Sequence, residues 1–549
     1  MKATIDIKRN GLSLSGQPLI LTTSSQSNNP LACCLPISTN TSSFNESIPN
    51  NTFLPFSNII WVEETSSGKP NEVEITYVYP IFNEFSTKKE TVLPYNEARR
   101  NIYTASQILT VEFENTTNEY NNINISDLLM NYAYIHSQYY LNNKRQQSIF
   151  VLINPNSGKG LANKIFNEQV KPILLSAHCN IHIQMTEYKG HAIDLARTIN
   201  INDYDTILCA SGDGIPYEVI NGFYQRDDKA EAFSKINIVQ TPGGSGNAMS
   251  LSCLGATSAS LAALRILKGK PSQCDLMAVS KDSSDEVILS FLSQTYGAIA
   301  QADIGTEWMR SIGGIRFDLG VAYEVFSGHK YPCDLAVKWK CKNKEDVVNH
   351  FERETKESNK NNVLKCNKNN YKDTIIKSSS IENNENFNNL IELSEKNLQL
   401  KYQTNFKQSK DFSTLPEDWD IYDKGKTNNM RIFYAGKMPY IAATTNFFPA
   451  ALPSDGTIDL VVFDARGSFI STANALLSLE KGTHVWEDCV DHGKVEAFRL
   501  IPKADKETFI SVDGEWFPYE AFQVEVLSKI LRTILWEGDY TETGFSAQR

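Results

Sequence analysis

Ser211-Gly212-Asp213-Gly214-Ile215-Pro216-Tyr217-Glu218-Val219-Ile220-Asn221-Gly222 carries the densest structural information in this chain. Ahead of it, Asp205-Thr206-Ile207-Leu208-Cys209-Ala210 is a short apolar run of the kind that forms a buried parallel strand. Behind it, Tyr217 to Phe223 has helical spacing, with Pro216 in the first turn, where a helix tolerates proline. Asp213 therefore falls on a tight glycine turn between the carboxyl end of a strand and a helix. In open α/β sheets ligands bind at such turns. Gly212 and Gly214 remove Cβ bulk on both sides, so a second molecule can approach the backbone. An ordinary βα turn with an exposed aspartate has the same local pattern, and the flanking chain has to separate the two readings.

Upstream, Gln147-Ser148-Ile149-Phe150-Val151-Leu152-Ile153 is another buried-strand run. It ends in Asn154-Pro155-Asn156-Ser157-Gly158-Lys159-Gly160, and Leu161 to Val170 then reads as a helix. The turn is similar to a phosphate-binding loop but does not match G-x-x-x-x-G-K-[ST], and a purely structural turn is the alternative. A strand at Ile181 to Met185 follows, with the turn Thr186-Glu187-Tyr188-Lys189-Gly190 and a helix from His191 to Ile199. Downstream of Asp213, the strand Ile236 to Gln240 leads into Thr241-Pro242-Gly243-Gly244-Ser245-Gly246-Asn247-Ala248-Met249 and a further helix. Small residues at a helix amino end free backbone N–H groups to form an anion-binding nest. Strand-turn-helix units in series imply a parallel, doubly wound sheet, with the Asp213 turn and the glycine nest on one edge. Two such loops side by side form a polyphosphate cradle, which favours a nucleotide over the ordinary-turn reading.

The texture changes near Asp275. Asp275 to Val279 and Glu286 to Leu292 read as antiparallel strands, followed by Tyr296 to Asp303 and a helical patch carrying Arg310 and Arg316. Residues 343–412 are rich in Asn, Lys and Ser with few aromatics, which reads as a disordered insertion or long surface loop. Strands resume at Met430 to Ala435, and Ser511-Val512-Asp513-Gly514-Glu515-Trp516 has the form of a hairpin turn with two carboxylates around a glycine. The organisation expected is a mostly-β N-terminal module (1–146), an α/β nucleotide-binding domain (147–273), and an antiparallel β-sandwich domain in two parts (274–342 and 413–549) around the insertion.

In the N-terminal module, Asn58 to Glu63, Glu72 to Tyr79 and Ile108 to Phe113 are strand-like, and Ser126 caps a helix expected from Asp127 towards Leu141. Strands closed by one helix resemble a pleckstrin-homology-like docking module. Cys33-Cys34 in an apolar patch reads either as a pair of acylated thiols or as free thiols in a loop. The 549 residues suggest roughly two to four domains. A net charge of −11 argues against nucleic acid as partner and supplies no bulk attraction to anionic membranes. No apolar run approaches the ~18 residues of a membrane-spanning helix. Met1-Lys2-Ala3-Thr4-Ile5-Asp6 lacks the apolar core of a signal peptide. The ten cysteines form no C-x-x-C pair, which fits a reducing, cytoplasmic compartment. His178, His182 and His191 lack metal-ligand spacing, so no protein metal site is expected.

Together, Asn154-Pro155 with Ser157 to Gly160, Ser211 to Gly214 with Glu218 to Gly222, Pro242 to Asn247, then Asp303, Arg310, Arg316 and Asp513-Gly514-Glu515 resemble the sphingoid long-chain base kinases of the diacylglycerol kinase superfamily. The Ser-Gly-Asp-Gly form favours the sphingoid branch. The long N-terminal region and the insertion resemble fungal members, whereas Pro216-Tyr217 stand where the family usually has an apolar residue and often His. The resemblance implies phosphorylation of the primary hydroxyl of a sphingoid base by ATP with Mg2+. It implies that Asp213 accepts the hydroxyl proton, and that Ser211, Gly212, Gly214 and Asp303 contact the lipid, Asp303 through its amine. It implies a nucleotide pocket formed by Asn154, Pro155, Asn156, Thr186, Glu187, Tyr188, Lys189, Gly190, Glu218, Gly244, Ser245, Gly246, Arg310, Arg316, Asp513, Gly514 and Glu515. Peripheral contact with endoplasmic reticulum, Golgi or plasma membrane follows from a lipid substrate. A diacylglycerol or ceramide kinase, or a non-catalytic lipid-docking protein, are the alternatives.

Overall fold

The computed structural model describes residues 2–6, 11–15, 53–55, 58–65, 72–81, 103–113, 129, 146–306, 315–365, 390–409, 411–506 and 508–545. Cys33, Cys34, Arg310 and, apart from Leu129, the helix expected over 127–141 lie outside these residues.

Strands β1 (Lys2–Asp6), β2 (Gly11–Ser15), β3 (Phe53–Pro55), β4 (Ile59–Glu64), β5 (Glu72–Ile81) and β6 (Tyr103–Phe113) form one sheet in the order β3-β2-β1-β6-β5-β4. The β1–β6 pair is parallel and the others antiparallel. This sheet leans on the next domain. Trp61 stacks on His178 with ring centroids 4.1 Å apart, and buried Lys268 donates to the Ile59 carbonyl over 2.6 Å.

The second unit begins with β7 (Ser148–Ile153). A helical run follows through α1 (Ala162–Ile165), a π-helical stretch Phe166–Val170 and α2 (Lys171–Ser176). Pro172 has no N–H to return to the preceding turn, which accounts for the slip in the ladder beside it. Then come β8 (Asn180–Met185), α3 (His191–Thr198), β9 (Thr206–Ser211), α4 (Gly214–Tyr224), α5 (Lys229–Lys235), β10 (Asn237–Pro242), α6 (Ala248–Leu254) and α7 (Ala259–Lys268). The four strands are parallel in the order β10-β9-β7-β8. The chain leaves β7 in both directions, so the turns after β7 and β9 flank the topological switch point.

The third unit is antiparallel. Its strands are β11 (Lys270–Lys281), β12 (Val287–Ser290), β13 (Ser293–Gly297), β14 (Cys333–Cys341), β15 (Asp420–Ile421), β16 (Met430–Gly436), β19 (Ile458–Asp464), β20 (Val490–Pro502), β21 (Ile510–Val512), β22 (Glu515–Phe517) and β23 (Phe522–Leu535); β17 (Tyr440–Ala442) and β18 (Thr445–Asn446) form a separate hairpin. Strand β11 starts at Lys270 and so runs across the expected boundary at 273/274. β20 pairs with β19 through its first half and with β23 through its second, so two sheet halves join at one shared strand. Met277, Val279, Phe522 and Val524 from one half meet Tyr296, Phe433 and Val462 from the other in a single core. Helices α8 (Ala298–Ile304) and α9 (Ile315–Ser327) follow β13, and α13 (Phe469–Leu477) touches α9.

The region expected to be a disordered insertion is structured at both ends. α10 (Lys344–Lys365) starts with Asn343 accepting from the Asp346 N–H over 2.9 Å, and it buries Val347, Val348 and His350. After residue 390 the chain docks again through Leu393, Leu398 and Phe406, the last on α11 (Gln403–Gln408), and α12 (Lys424–Thr427) comes before β16. The Arg499 guanidinium lies over the Phe406 ring at 5.2 Å and donates to the Ser409 and Asp411 carbonyls. A polar average over 70 residues hides these short apolar contacts. Phe406→Ala is expected to cost about 3–5 kcal/mol in urea unfolding. A surface loop would lose nothing there.

Candidate active site

The nucleotide-binding unit contributes turns at the carboxyl edge of its parallel sheet, and glycine lets these turns touch. Gly158 adopts φ +57°, and a Cβ there would stand 2.2 Å from the Gly243 carbonyl oxygen. A Cβ on Gly244 would stand 2.4 Å from the Gly212 Cα. The Ser157 hydroxyl accepts from the Gly212 N–H over 2.9 Å, and Asn156 donates its N–H to the Asn154 side chain over 3.0 Å. Backbone thus packs on backbone across the turns after β7, β9 and β10.

Asp213 caps α4, but its carboxylate points at the neighbouring helix. One oxygen accepts from the Ala248 N–H at 3.0 Å. The other accepts from the Met249 N–H at 3.2 Å and from Gln240 Nε2 at 3.2 Å. Burial pushes the carboxyl above its ordinary range, and these donors pull the other way. A Cβ on Gly246 would come within 2.7 Å of the same carboxylate, so only glycine fits there. An anchored carboxylate of raised basicity beside an N–H nest can take a proton from a group bound at the nest.

The nest itself is partly spent internally. Asn247, at φ +56°, accepts from the N–H groups of Gly243 (3.1 Å) and Gly244 (2.8 Å) through its side-chain oxygen. Gly244 was expected to offer its N–H to phosphate; it instead closes the loop. Ser245 and Gly246 carry the uncommitted N–H groups of this turn. The buried Ser211 hydroxyl is likewise used within its own turn, donating to the Gly212 carbonyl over 2.8 Å.

The turn Thr186–Gly190 follows β8. Glu218, expected in the nucleotide pocket, accepts from the Gly190 and Ala192 N–H groups at 3.0 and 3.1 Å and so holds the start of α3. Tyr188 stacks on His191 at 4.5 Å and donates to Asp194, while Glu187 donates its N–H to His191 Nδ1. Thr186 is buried. Lys189 reaches across to the third unit and pairs with Glu515 over 2.7 Å.

From that third unit the β21–β22 hairpin turns at Asp513 (φ +51°) and Gly514 (φ +81°), a two-residue turn with both centres left-handed. Asp513 was expected to face nucleotide. Its carboxylate is buried instead, accepting from Ser290 Oγ and from the N–H groups of Phe291, Leu292 and Ser293. Burial pushes it up to about 6 against those bonds. Its work is to join β12 to the hairpin. That anchor presents Glu515, whose carboxylate lies 3.8 Å from the Cβ position of Gly214. Asp303, at the end of α8, accepts from the Ser511 hydroxyl over 3.3 Å and lies 4.0 Å from the Cβ position of Gly514. The Asp213–Gly214 turn, Glu515 and Asp303 therefore share one corner of the cleft. Arg316 lies on α9, with only its backbone described. Pro155 takes its place in the β7 turn.

Gln240, Asn247, Ser157 and Ser290 hold the site together; Ser157 and Asn247 belong to the motifs read from the sequence but were given no role of their own there, and Gln240 and Ser290 were not singled out. For Gln240 the available signal was a glutamine following Ile238-Val239 in a strand buried along its whole length.

Comparison with known proteins accords with this geometry. The diacylglycerol kinase catalytic domain model matches residues 148–279. The chain is 44% identical over 433 residues to sphingoid long chain base kinase 5 of Saccharomyces cerevisiae, a span of 74% of this chain and 62% of that protein, less than two thirds of its length. It is 31% identical over 505 residues to sphingoid long chain base kinase 4 of Schizosaccharomyces pombe, covering 92% of this chain and 91% of the relative. It is 30% identical over 380 residues to sphingosine kinase 1 of Arabidopsis thaliana, covering 68% of each. With its cleft built on the three glycine turns and closed by the Glu515 hairpin, this chain belongs to the sphingoid long chain base kinase family.

Proposed function

We propose that the protein transfers the γ-phosphoryl group of ATP to the primary hydroxyl of a long-chain sphingoid base, giving the base 1-phosphate and ADP. The observation that carries this reading is the Asp213 carboxylate, fixed at the mouth of the nest by Ala248, Met249 and Gln240. In the step, the substrate oxygen bonds to the γ-phosphorus as the bond to the β,γ-bridging oxygen breaks, and the hydroxyl proton passes to Asp213. A loose transition state needs positioning and charge neutralisation more than an early strong base. The N–H groups of Ser245 and Gly246 take phosphate oxygens, and Arg310 and Arg316 supply guanidinium donors to them.

Mg2+ would arrive with ATP and would neutralise charge on the phosphates, held largely by phosphate and water. Among the described residues no trio of His, Cys, Asp or Glu is grouped to hold a metal, and Glu515 is one carboxylate in the corner that could assist.

Asp303 supports a free base as acceptor. A carboxylate beside the reacting corner pairs with the ammonium of a sphingoid base, which diacylglycerol and ceramide lack. A lipid acceptor requires contact with a membrane. Tyr323 and Phe326 on α9 and Ile470 and Leu477 on the touching helix α13 are exposed apolar groups that suit peripheral contact. We place the reaction on the cytoplasmic face of intracellular membranes. The seven described cysteines are all buried free thiols, which supports a reducing compartment.

The test is ATP-dependent phosphorylation by the purified chain, comparing dihydrosphingosine and phytosphingosine with diacylglycerol and ceramide. Transfer to the free bases alone is expected. Asp303→Ala should raise KM for the base about tenfold or more while KM for ATP stays put, from loss of a charged pair. Equal transfer to diacylglycerol would move the protein to the neighbouring activity, and no transfer with ATP still bound would favour a docking protein.

A further inference from the structure

Gln240 lies in β10 opposite Cys209 of β9 and is 1% exposed. A buried amide is costly unless each of its polar atoms is paired. Its Nε2 donates to the Ser211 carbonyl at 3.3 Å and to Asp213 Oδ1 at 3.2 Å. Its Oε1 accepts from the Ser250 N–H at 2.8 Å. Both ends are thus committed, one to the Asp213 turn and the other to α6. The same helix supplies Ala248 and Met249, two backbone donors on the Asp213 carboxylate. One side chain therefore ties the acceptor to the element that carries its donors. Without it, the carboxylate would keep only backbone N–H partners, at Asn247, Ala248 and Met249, and no side chain would resist its rotation.

We propose that Gln240 is a positioning residue for phosphoryl transfer: it orients the Asp213 carboxylate through the hydrogen bond from its side-chain NH2 and spaces the Asp213 turn from α6. The proposal rests on the reading of Asp213 as the base. An N–H donor favours the ionised carboxylate, so Gln240 also lowers the pH at which the base becomes available. The other titratable and charged groups on the surrounding elements include Cys209 on β9, its thiol pushed up by burial, Glu515 with its partner Lys189, Glu218 and Tyr217 on α4, Asp303 on α8, Cys253 on α6 and Arg532 on β23. Burial pushes the Tyr217 hydroxyl and the Cys253 thiol up, so both stay neutral through the working range.

Gln240→Glu keeps the acceptor for Ser250, removes both donors and adds a carboxyl group beside Asp213. Gln240→Met removes all three bonds without adding charge. In both variants the acid limb of kcat/KM for the sphingoid base is expected to move to higher pH, by about one unit or more in Gln240→Glu and by less in Gln240→Met. KM for ATP should hold within about twofold, and kcat below the limb should fall about tenfold or more. A residue that only filled the strand would lower the unfolding temperature and leave the limb in place. An unmoved limb in a folded variant, with Asp213→Asn inactive in parallel, overturns the role of Gln240 alone. Retained turnover in Asp213→Asn overturns the base reading beneath it.

Discussion

Asp213→Asn should lower turnover by about 10²–10⁴-fold, the usual contribution of a positioned general base, while ATP binding changes little. The substitution is nearly isosteric, so the glycine contacts around it survive. What changes is polarity. The carboxylate accepts on both oxygens, from Ala248 on one side and from Met249 and Gln240 on the other. An asparagine must set its NH2 against one of those N–H groups, which leaves a donor facing a donor and costs about 1–3 kcal/mol. The loss of activity should therefore come with a modest fall in the unfolding midpoint. Turnover at saturating base, read beside an ATP titration, separates the two effects. A variant that keeps more than a tenth of the activity removes Asp213 from the chemistry.

Lys437→Met is expected to cost about 3–5 kcal/mol of stability, because it strands buried carboxylates. Lys437 is buried with its ammonium 2.7 Å from Asp275 and 2.6 Å from Asp455, and it donates to the Thr457 carbonyl. Lys494 completes the cluster with Asp455 and Asp459, His492 pairs with Asp459, and His350 of α10 reaches Asp455. Two lysines and His350 hold Asp455 well below the ordinary carboxyl range. Burial raises Asp275, against the Lys437 ammonium and the N–H groups of Gly456 and Lys529 that pull the other way. Removing Lys437 leaves Asp275 no cation, so its carboxyl rises further. A raised carboxyl binds a proton more readily when folded, so the folded variant gains relative stability as pH falls. The difference from the parent protein should thus shrink from pH 8 to pH 5. Equal penalties at both values, or a loss below about 1 kcal/mol, would show that the cluster is not held as described.

Local signals made the catalytic half readable. Buried runs ending in glycine turns at 154–160, 211–214 and 241–247 marked the strands, their parallel order and the edge on which the site lies. Distant partners set the rest. Asp513 and Gly514 have the composition of a hairpin turn, and nothing local says that the carboxylate will be used up on 290–293, some 220 residues earlier. Ser211 and Gly244 turned inward for a related reason, since satisfying the turn's own polar groups takes precedence over offering them to a ligand. Residues 390–409 escaped notice because a few docking side chains, Leu393, Leu398 and Phe406, are diluted by polar neighbours.

Strand β23 has a consequence for synthesis. It pairs with β11 in the third unit, yet Thr533 donates to the Ile238 carbonyl and Arg532 to the Asn237 side chain, both on β10 and both 295 residues upstream. The nucleotide-binding unit therefore leaves the ribosome with one flank uncovered. At about 5–20 residues per second the covering strand emerges roughly 15–60 s later. During that interval the newborn β10 edge, with its apolar neighbours Ile236, Ile238 and Val239, is bare to solvent and to chaperones. Enzymatic competence is in this sense a late, whole-chain event, and truncation ahead of residue 522 should yield a catalytic domain that aggregates.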